Sequence, residues 1–425
     1  MEIPPVPQEV TIVLRENGEG WEGHLSLPME RIHEMPFQAV ELEGDALTLQ
    51  LTPSRFFSGR IEGDVMEGEF RIEEGEGVTF PTALYRVGSE PWVAFLEDWE
   101  ARVEEREELL AEHRPPPLQR TERGPASRDV NTVALSHLVE SARETHSTGL
   151  VVLQGGEVVE QWHAGGEPRV IEAMSVTKSV LNLAVGRLVR LGLLDSLDTP
   201  VHEFYPQWSE GPHAEVTIRH LMAHTSGLES PMPTDPIYAS GDFVRFALES
   251  PVVSEPGTEF VYNNNATNLL AGIIGVAAMQ RADFFVLEEI FEPMGITQVG
   301  WSLDEVGNPH GMAGLQIRPD DLARLGQLAL QEGMWEGQRL IDASWFQESF
   351  SQASAHAESA GLLWWLLRED EEIVGVRADG YLGQYLVIYP EEELVGVRMI
   401  QSFPGYDPVR DGFEDFPGLL LRLAR

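Results

Sequence analysis

The chain has 425 residues, enough for two or three domains with a sizeable buried core. Hydrophobic residues make up 42% and charged residues 23%, and no apolar run approaches the ~18–20 residues of a membrane span, so a disordered chain and a membrane-inserted one are both excluded as expectations. Against 29 basic side chains stand 70 acidic ones, a net charge of −41 that repels nucleic acid and anionic membranes and argues against either as a partner. Such a surface reads first as a solvation device, as in proteins adapted to high salt, and second as a means of steering cations. Cysteine is absent, so disulfides and thiolate–metal sites cannot form. The opening MEIPPVPQEV has neither a basic n-region nor an apolar h-region. The expectation is a cytoplasmic protein or the mature form of an exported one.

Residues 1 to about 90 read as β structure. VTIVL, LTLQL, FSGRIEG and MEGEFRIEEG alternate apolar and polar residues between Gly, Pro and Asp, which predicts a small antiparallel barrel or sandwich. FFSGRIEGDV and VMEGEFRIEEG resemble each other, as successive hairpin strands would, and neither holds a catalytic cluster. Residues 91–129 read as a charged amphipathic helix, three prolines at 115–117 and a polar run, together a linker.

From 130 to 425 the pattern is mixed. LVVLQGGEVVEQWHAG predicts a β-hairpin, SVTKSVLNLAVGRLVRLGLL a long apolar helix, and RPDDLARLGQLALQEG a helix with a proline–aspartate start. WWLL, GQYLVIYP and ELVGVRMI read as strands. Strands at both ends bracketing helices fit an α/β (α+β) domain, an antiparallel sheet flanked by helices.

Of the 29 basic residues, 28 are arginine and one, Lys178, is lysine. Arginine keeps its charge as well as lysine does but cannot give up its proton, so a lone lysine points to a task that needs a titratable amine. Serine stands three residues before it, in Ser175-Val176-Thr177-Lys178, a coincidence of about one in fifteen at average serine usage. The i, i+3 spacing puts both on one helix face, with Ser175 near the helix start, where unpaired N–H groups favour an oxyanion. Apolar surroundings would depress the pKa of Lys178 and let it accept the serine proton. An N-cap serine followed by a snorkelling lysine would give the same spacing without chemistry. A second candidate cluster lies in PGTEFVYNNNATNLL, where a turn, a short strand and then a helix are expected. Tyr262 there is placed to share a proton with Lys178, or else is a packed aromatic, and Asn264 is placed to hold a substrate amide or carbonyl.

With these segments in view, the chain resembles the serine hydrolases of the β-lactamase fold, the group of class C β-lactamases, D,D-peptidases, related esterases and 6-aminohexanoate-dimer hydrolase. The resemblance covers about residues 135–400. It rests on SVTK, VTIRHLMAHTSGL (216–228), PGTEFVYNNNATNLLAGII, GLQIRPDDLARLGQLAL and ADGYLGQYLVIYPEEELV, in order and spacing. It implies that Ser175 is the acylated nucleophile, Lys178 its activator and Tyr262 the second base, with Asn264 beside it. It also implies that Ala378-Asp379-Gly380 is the third motif, on a strand lining the site, with the N–H groups of Ser175 and Tyr381 as oxyanion donors. Penicillin-recognising members carry Lys or His, then Thr or Ser, then Gly at that motif. Ala378 and Asp379 depart from this, and Arg377 points to the opposite face of the strand from Ala378.

The expected activity is hydrolysis of an ester or small amide through an acyl-enzyme at Ser175, with a small-molecule substrate and no metal or organic cofactor. β-Lactamase or D,D-peptidase activity is the alternative, and a non-catalytic binding protein of the same fold the rival of another class. Trp364, Trp365 and Tyr381 are candidates for the wall of an acyl pocket, a core role for the two tryptophans being the other reading. His220 and His224 have H-x-x-x-H spacing, but Leu221 replaces the zincin glutamate, so a structural role is expected. Ser226 in HTSG lacks the first glycine of a nucleophile elbow.

Overall fold

The computed structural model describes residues 11–16, 21–27, 32–52, 55–62, 65–72, 78–85 and 130–425. They fall into two compact units, one holding the strands up to residue 85 and the other the elements from residue 130 onward. The helix and linker expected over 91–129 lie outside the described residues.

In the first unit, β1 (Thr11–Glu16), β2 (Trp21–Leu27) and β3 (Ile32–Pro36) form an antiparallel three-stranded sheet. A five-stranded antiparallel meander follows, β4 (Ala39–Glu43), β5 (Ala46–Thr52), β6 (Arg55–Glu62), β7 (Val65–Ile72) and β8 (Val78–Tyr85). The two similar segments are β6 and β7, paired with each other so that Phe57 faces Phe70 and Gly59 faces Gly68. Two-residue alternation places Leu47 and Leu49 on one face of β5, where they form a small core with Phe57 on β6.

The second unit is built on a six-stranded antiparallel sheet. Its strands are β9 (Gly149–Gln154), β10 (Glu157–His163), β11 (Trp365–Glu369), β12 (Glu372–Gly380), β13 (Gln384–Tyr389) and β14 (Leu394–Met399), in the spatial order β10-β9-β14-β13-β12-β11. The predicted hairpin is thus β9–β10, and the central contact of the sheet joins β9 to β14, far apart in sequence. β13 and β14 are buried at all six positions. An antiparallel strand reads as a continuous apolar run when helices cover both faces, and they do here.

On one face, Leu150, Val152, Val387 and Tyr389 pack with α1 (Thr132–Glu144) and the C-terminal helix over 416–421. On the other, Val151, Val376, Leu386 and Val397 belong to the main core with α2 (Thr177–Arg190), α3 (Asn264–Ala278) and α4 (Pro319–Leu330). α4 begins with its proline at the first helical position, as predicted, and lies tightly on the sheet. A Cβ on Gly326 would stand 2.6 Å from Leu386 and Val395 side-chain atoms. α2 is buried from Thr177 to Leu188, its polar Lys178, Ser179, Asn182 and Arg187 included. Among the described residues, no single helix is long and apolar enough to cross a membrane. The short strand expected before Tyr262 is not formed. Residues 259–263 run as irregular chain into α3, tied down by Val261 N–H donating to the His224 carbonyl (2.9 Å).

Candidate functional site

The chain enters α2 through a 3₁₀ turn, Met174–Val176, that carries Ser175. Met174 has φ = +50°, a conformation disfavoured for a side chain that bulky. His224 (φ 55°) and Leu363 (φ 58°) share the left-handed region and both line the same pocket. Three such residues around one pocket amount to stored strain of the kind the packed core must hold in place.

The pocket, about 330 Å³ counted out to its mouth, brings together Ser175, Lys178, Tyr262 and Asp379, with Trp364 and Trp365 among its walls. The helical spacing does what was expected of it: Lys178 Nζ donates to Ser175 Oγ at 3.2 Å. It donates as well to the Met312 carbonyl at 2.6 Å, toward which Ser175 Oγ is turned at 3.5 Å. Lys178 is 3% exposed, and this burial lowers its pKa from the usual lysine value, an effect that Tyr262 opposes. The amine lies over the Tyr262 ring, 4.9 Å from its centroid, and that ring stacks on Trp365 with centroids 6.1 Å apart. Tyr262 is therefore both an aromatic packed in place and a phenol at the amine.

Several residues that hold this arrangement escaped the sequence reading. Asn268, one helical turn beyond Asn264 on α3, accepts from the N–H groups of Gly311 (2.9 Å) and Met312 (3.0 Å), and so aims the Met312 carbonyl at Lys178. Ser179 donates to the Leu363 carbonyl at 2.7 Å, fastening the wall that carries Trp364 and Trp365 to α2. Fully buried polar residues on otherwise apolar helices were the available signal.

His224 lines the pocket, although its motif was expected to be purely structural. Its Nδ1 accepts the Asn263 N–H at 3.2 Å, which leaves the proton of the neutral ring on Nε2. Burial, with Lys178 nearby, pulls its pKa down to about 3, so the ring stays uncharged in ordinary conditions. His220 instead caps the short helix over 218–222 in a reciprocal bond pair with Thr217, so the two histidines of H-x-x-x-H face different partners.

The third motif lies at the end of β12. Ala378 and Asp379 both line the pocket, Ala378 also packing into the main core, and Arg377 Nη2 meets Asp379 Oδ2 at 3.1 Å. Burial raises the Asp379 pKa to about 6 in spite of the Arg377 charge beside it. Gly380 lets β12 approach the serine turn: a Cβ there would stand 2.5 Å from the Ala173 carbonyl oxygen. Among the described residues, neither the Ser175 nor the Tyr381 N–H donates a backbone bond outside the helices and strands. The Tyr381 side chain is 72% exposed and walls nothing, which corrects one expectation; Trp364 and Trp365 do line the pocket. Trp364 is also part of the main core, so for it both readings hold. Asn264 is buried at the start of α3, where its N–H donates to Ser230 Oγ at 3.0 Å, and it is not in the pocket wall.

Comparison with known proteins bears on the fold and the family. The 6-aminohexanoate-dimer hydrolase of Paenarthrobacter ureafaciens is 24% identical over 340 residues, covering 70% of this chain and 83% of that protein. Among solved structures, the octameric penicillin-binding protein homologue from Pyrococcus abyssi matches with a TM-score of 0.54 at 20% identity, over 69% of this chain and 77% of its own. EstCE1, described as a hydrolase with promiscuous acyltransferase activity, matches with a TM-score of 0.55 at 18% identity, over 69% and 98%. These structural likenesses speak for the fold. The family model for β-lactamases matches residues 135–415, about two thirds of the sequence, and the chain belongs to the β-lactamase family.

Proposed function

We propose that the protein is a serine hydrolase that cleaves ester or small amide bonds through an acyl-enzyme at Ser175. The observation that carries this reading is the sole lysine of the chain, buried and 3.2 Å from a serine hydroxyl beside a small pocket. Ser175 Oγ attacks the carbonyl carbon while its proton passes to Lys178 Nζ. The oxyanion that forms is held by the N–H groups of Ser175 and Tyr381, a role supported by their lack of backbone acceptors outside the helices and strands and by the close approach at Gly380. Collapse breaks the bond to the leaving alcohol or amine, which takes a proton from the Lys178/Tyr262 pair. The same pair then deprotonates a water that attacks the acyl-enzyme, and Ser175 regains its proton as the acid departs.

The matching relatives include one named a 6-aminohexanoate-dimer hydrolase and one described as a hydrolase, which favours ester and amide chemistry. The absence of lysine or histidine at Ala378 argues against efficient turnover of anionic β-lactams, since the nearest cation on that strand, Arg377, lies outside the pocket lining and is engaged by Asp379. A fluorophosphonate probe read by intact mass tests the reading. One adduct on wild type and none on Ser175→Ala is expected; an adduct that persists in the variant overturns it.

A further inference from the structure

The strand wall of the pocket carries a charge that acyl transfer leaves unused. Asp379 lines the pocket on β12, its Oδ2 engaged by Arg377 at 3.1 Å, while its Oδ1 is closed off from solvent with no hydrogen-bond partner. Asp379 is part of the lining and Arg377 is not, so the acidic member of the pair stands nearer the pocket. Across the pocket stand Lys178, whose pKa burial lowers, and His224, which burial keeps uncharged. Tyr262 and Trp365 stack against each other at the same wall, and the Tyr262 face already holds one amine, that of Lys178, 4.9 Å from its centroid. Around the whole lies a protein of net charge −41, which draws cations toward it.

We infer that this pocket selects substrates bearing an ammonium group near the scissile carbonyl, with Asp379 as the specificity-determining carboxylate. The inference rests on the acyl-transfer reading of Ser175 and names its substrate class: aminoacyl amides and esters, or esters of amino alcohols. An ammonium supplies a countercharge to the Asp379 carboxylate, whereas a substrate carboxylate would be repelled by it.

Two matched pairs of probes read charge at nearly constant shape. β-Alanine p-nitroanilide against butyryl p-nitroanilide places the charge on the acyl side. Butyrylcholine against 3,3-dimethylbutyl butyrate places it on the leaving side. At about pH 8 and fixed ionic strength, kcat/KM should be higher for the cation by about tenfold or more in at least one pair, the usual worth of a charge-assisted contact. Asp379→Asn should bring that ratio close to one, whatever the absolute rates.

In wild type the ratio should also fall as pH drops through about 6, where Asp379 gains its proton. The groups facing Asp379 are Arg377 on its own strand, Tyr385 opposite it on β13, and Lys178 and His224 across the pocket. A ratio cancels any ionisation of theirs that acts equally on both members of a pair. Ratios at or below one for both pairs, or a ratio indifferent to Asp379→Asn and to pH, overturn the inference. If no probe is turned over, the hydrolase reading falls by itself, and the same pairs are then measured as dissociation constants by calorimetry on Ser175→Ala. Tighter binding of the cation by about tenfold, lost when Asp379→Asn is added, sustains charge selection; equal binding ends it.

Discussion

The two walls of the pocket are built on opposite principles. On the helix side most polar groups of the site have protein partners: Lys178 on Ser175 and Met312, the Met312 and Gly311 N–H groups on Asn268, Ser179 on Leu363, with Asn268 Nδ2 buried and unpartnered among them. On the sheet side Asp379 Oδ1, Arg377 Nε and Trp364 Nε1 are buried with none. A largely satisfied network in low dielectric holds atoms in one geometry, which acyl transfer requires. Unsatisfied atoms at a pocket wall cost stability and leave capacity for something that comes and goes. The difference suggests a fixed chemical wall facing a selective one, the first set by the reaction and the second by the substrate.

The largest test strikes the fixed wall. Ser175→Ala should lower kcat/KM on any ester that is turned over by roughly 10⁴-fold or more, as removal of an acylated serine does elsewhere; a smaller loss would move the nucleophile to another residue. Asn268→Leu should destabilise the fold by about 2–4 kcal/mol in urea titrations, because two buried N–H donors lose their acceptor. A loss below about 1 kcal/mol would mean that this network tolerates gaps and that the contrast between the walls is weaker than drawn.

Lys178→Arg should reduce kcat by at least about 100-fold, the usual scale for a lost acid–base group. In wild type the rate should fall as pH falls through the lowered Lys178 pKa, since only the neutral amine accepts the serine proton. That limb should vanish in the arginine variant, and a pH–rate profile that keeps it assigns the ionisation to another group.

The selective wall is probed by substrate. p-Nitrophenyl butyrate should exceed a cephalosporin by roughly 10- to 150-fold in kcat/KM at fixed, fairly high salt, and Ala378→Lys should narrow the gap. A faster cephalosporin would replace the esterase reading with a β-lactamase one. The smallest effect is on stability. Replacing the half-buried pair together, Arg377→Met with Asp379→Leu, should change unfolding free energy by no more than about 1 kcal/mol, since neither partner is left behind uncompensated. A loss of several kcal/mol would make that ion pair a structural element rather than a device for recognition.

Much of the helix side was legible in the residues themselves. The i, i+3 spacing of Ser175 and Lys178, the proline start of α4, the hairpin glycines between β9 and β10 and the two-residue alternation in β5 are local rules, and local geometry obeys them. The short strand expected before Tyr262 failed because no neighbouring strand is there to pair with it. The segment is held instead by the His224 carbonyl and the imidazole Nδ1. The exposure of Tyr381 could not be read either, since β12 ends at Gly380 and the turn after it carries the side chain outward.

By itself, then, the sequence determined the chemistry on offer: one titratable amine, the serine one turn before it, and a third motif with an acid where relatives hold a hydroxyl. Only the tertiary structure decided which groups meet. Asn268, Met312 and Lys178 come from three distant segments, and His224 comes from a fourth to meet Trp365 and Asp379 of the β11–β12 hairpin. Their convergence depends on antiparallel pairing of β9 with β14 and on close packing of α2 and α3 in one core. Such contacts are fixed by the summed burial of many side chains, a property of the whole fold that no single segment encodes.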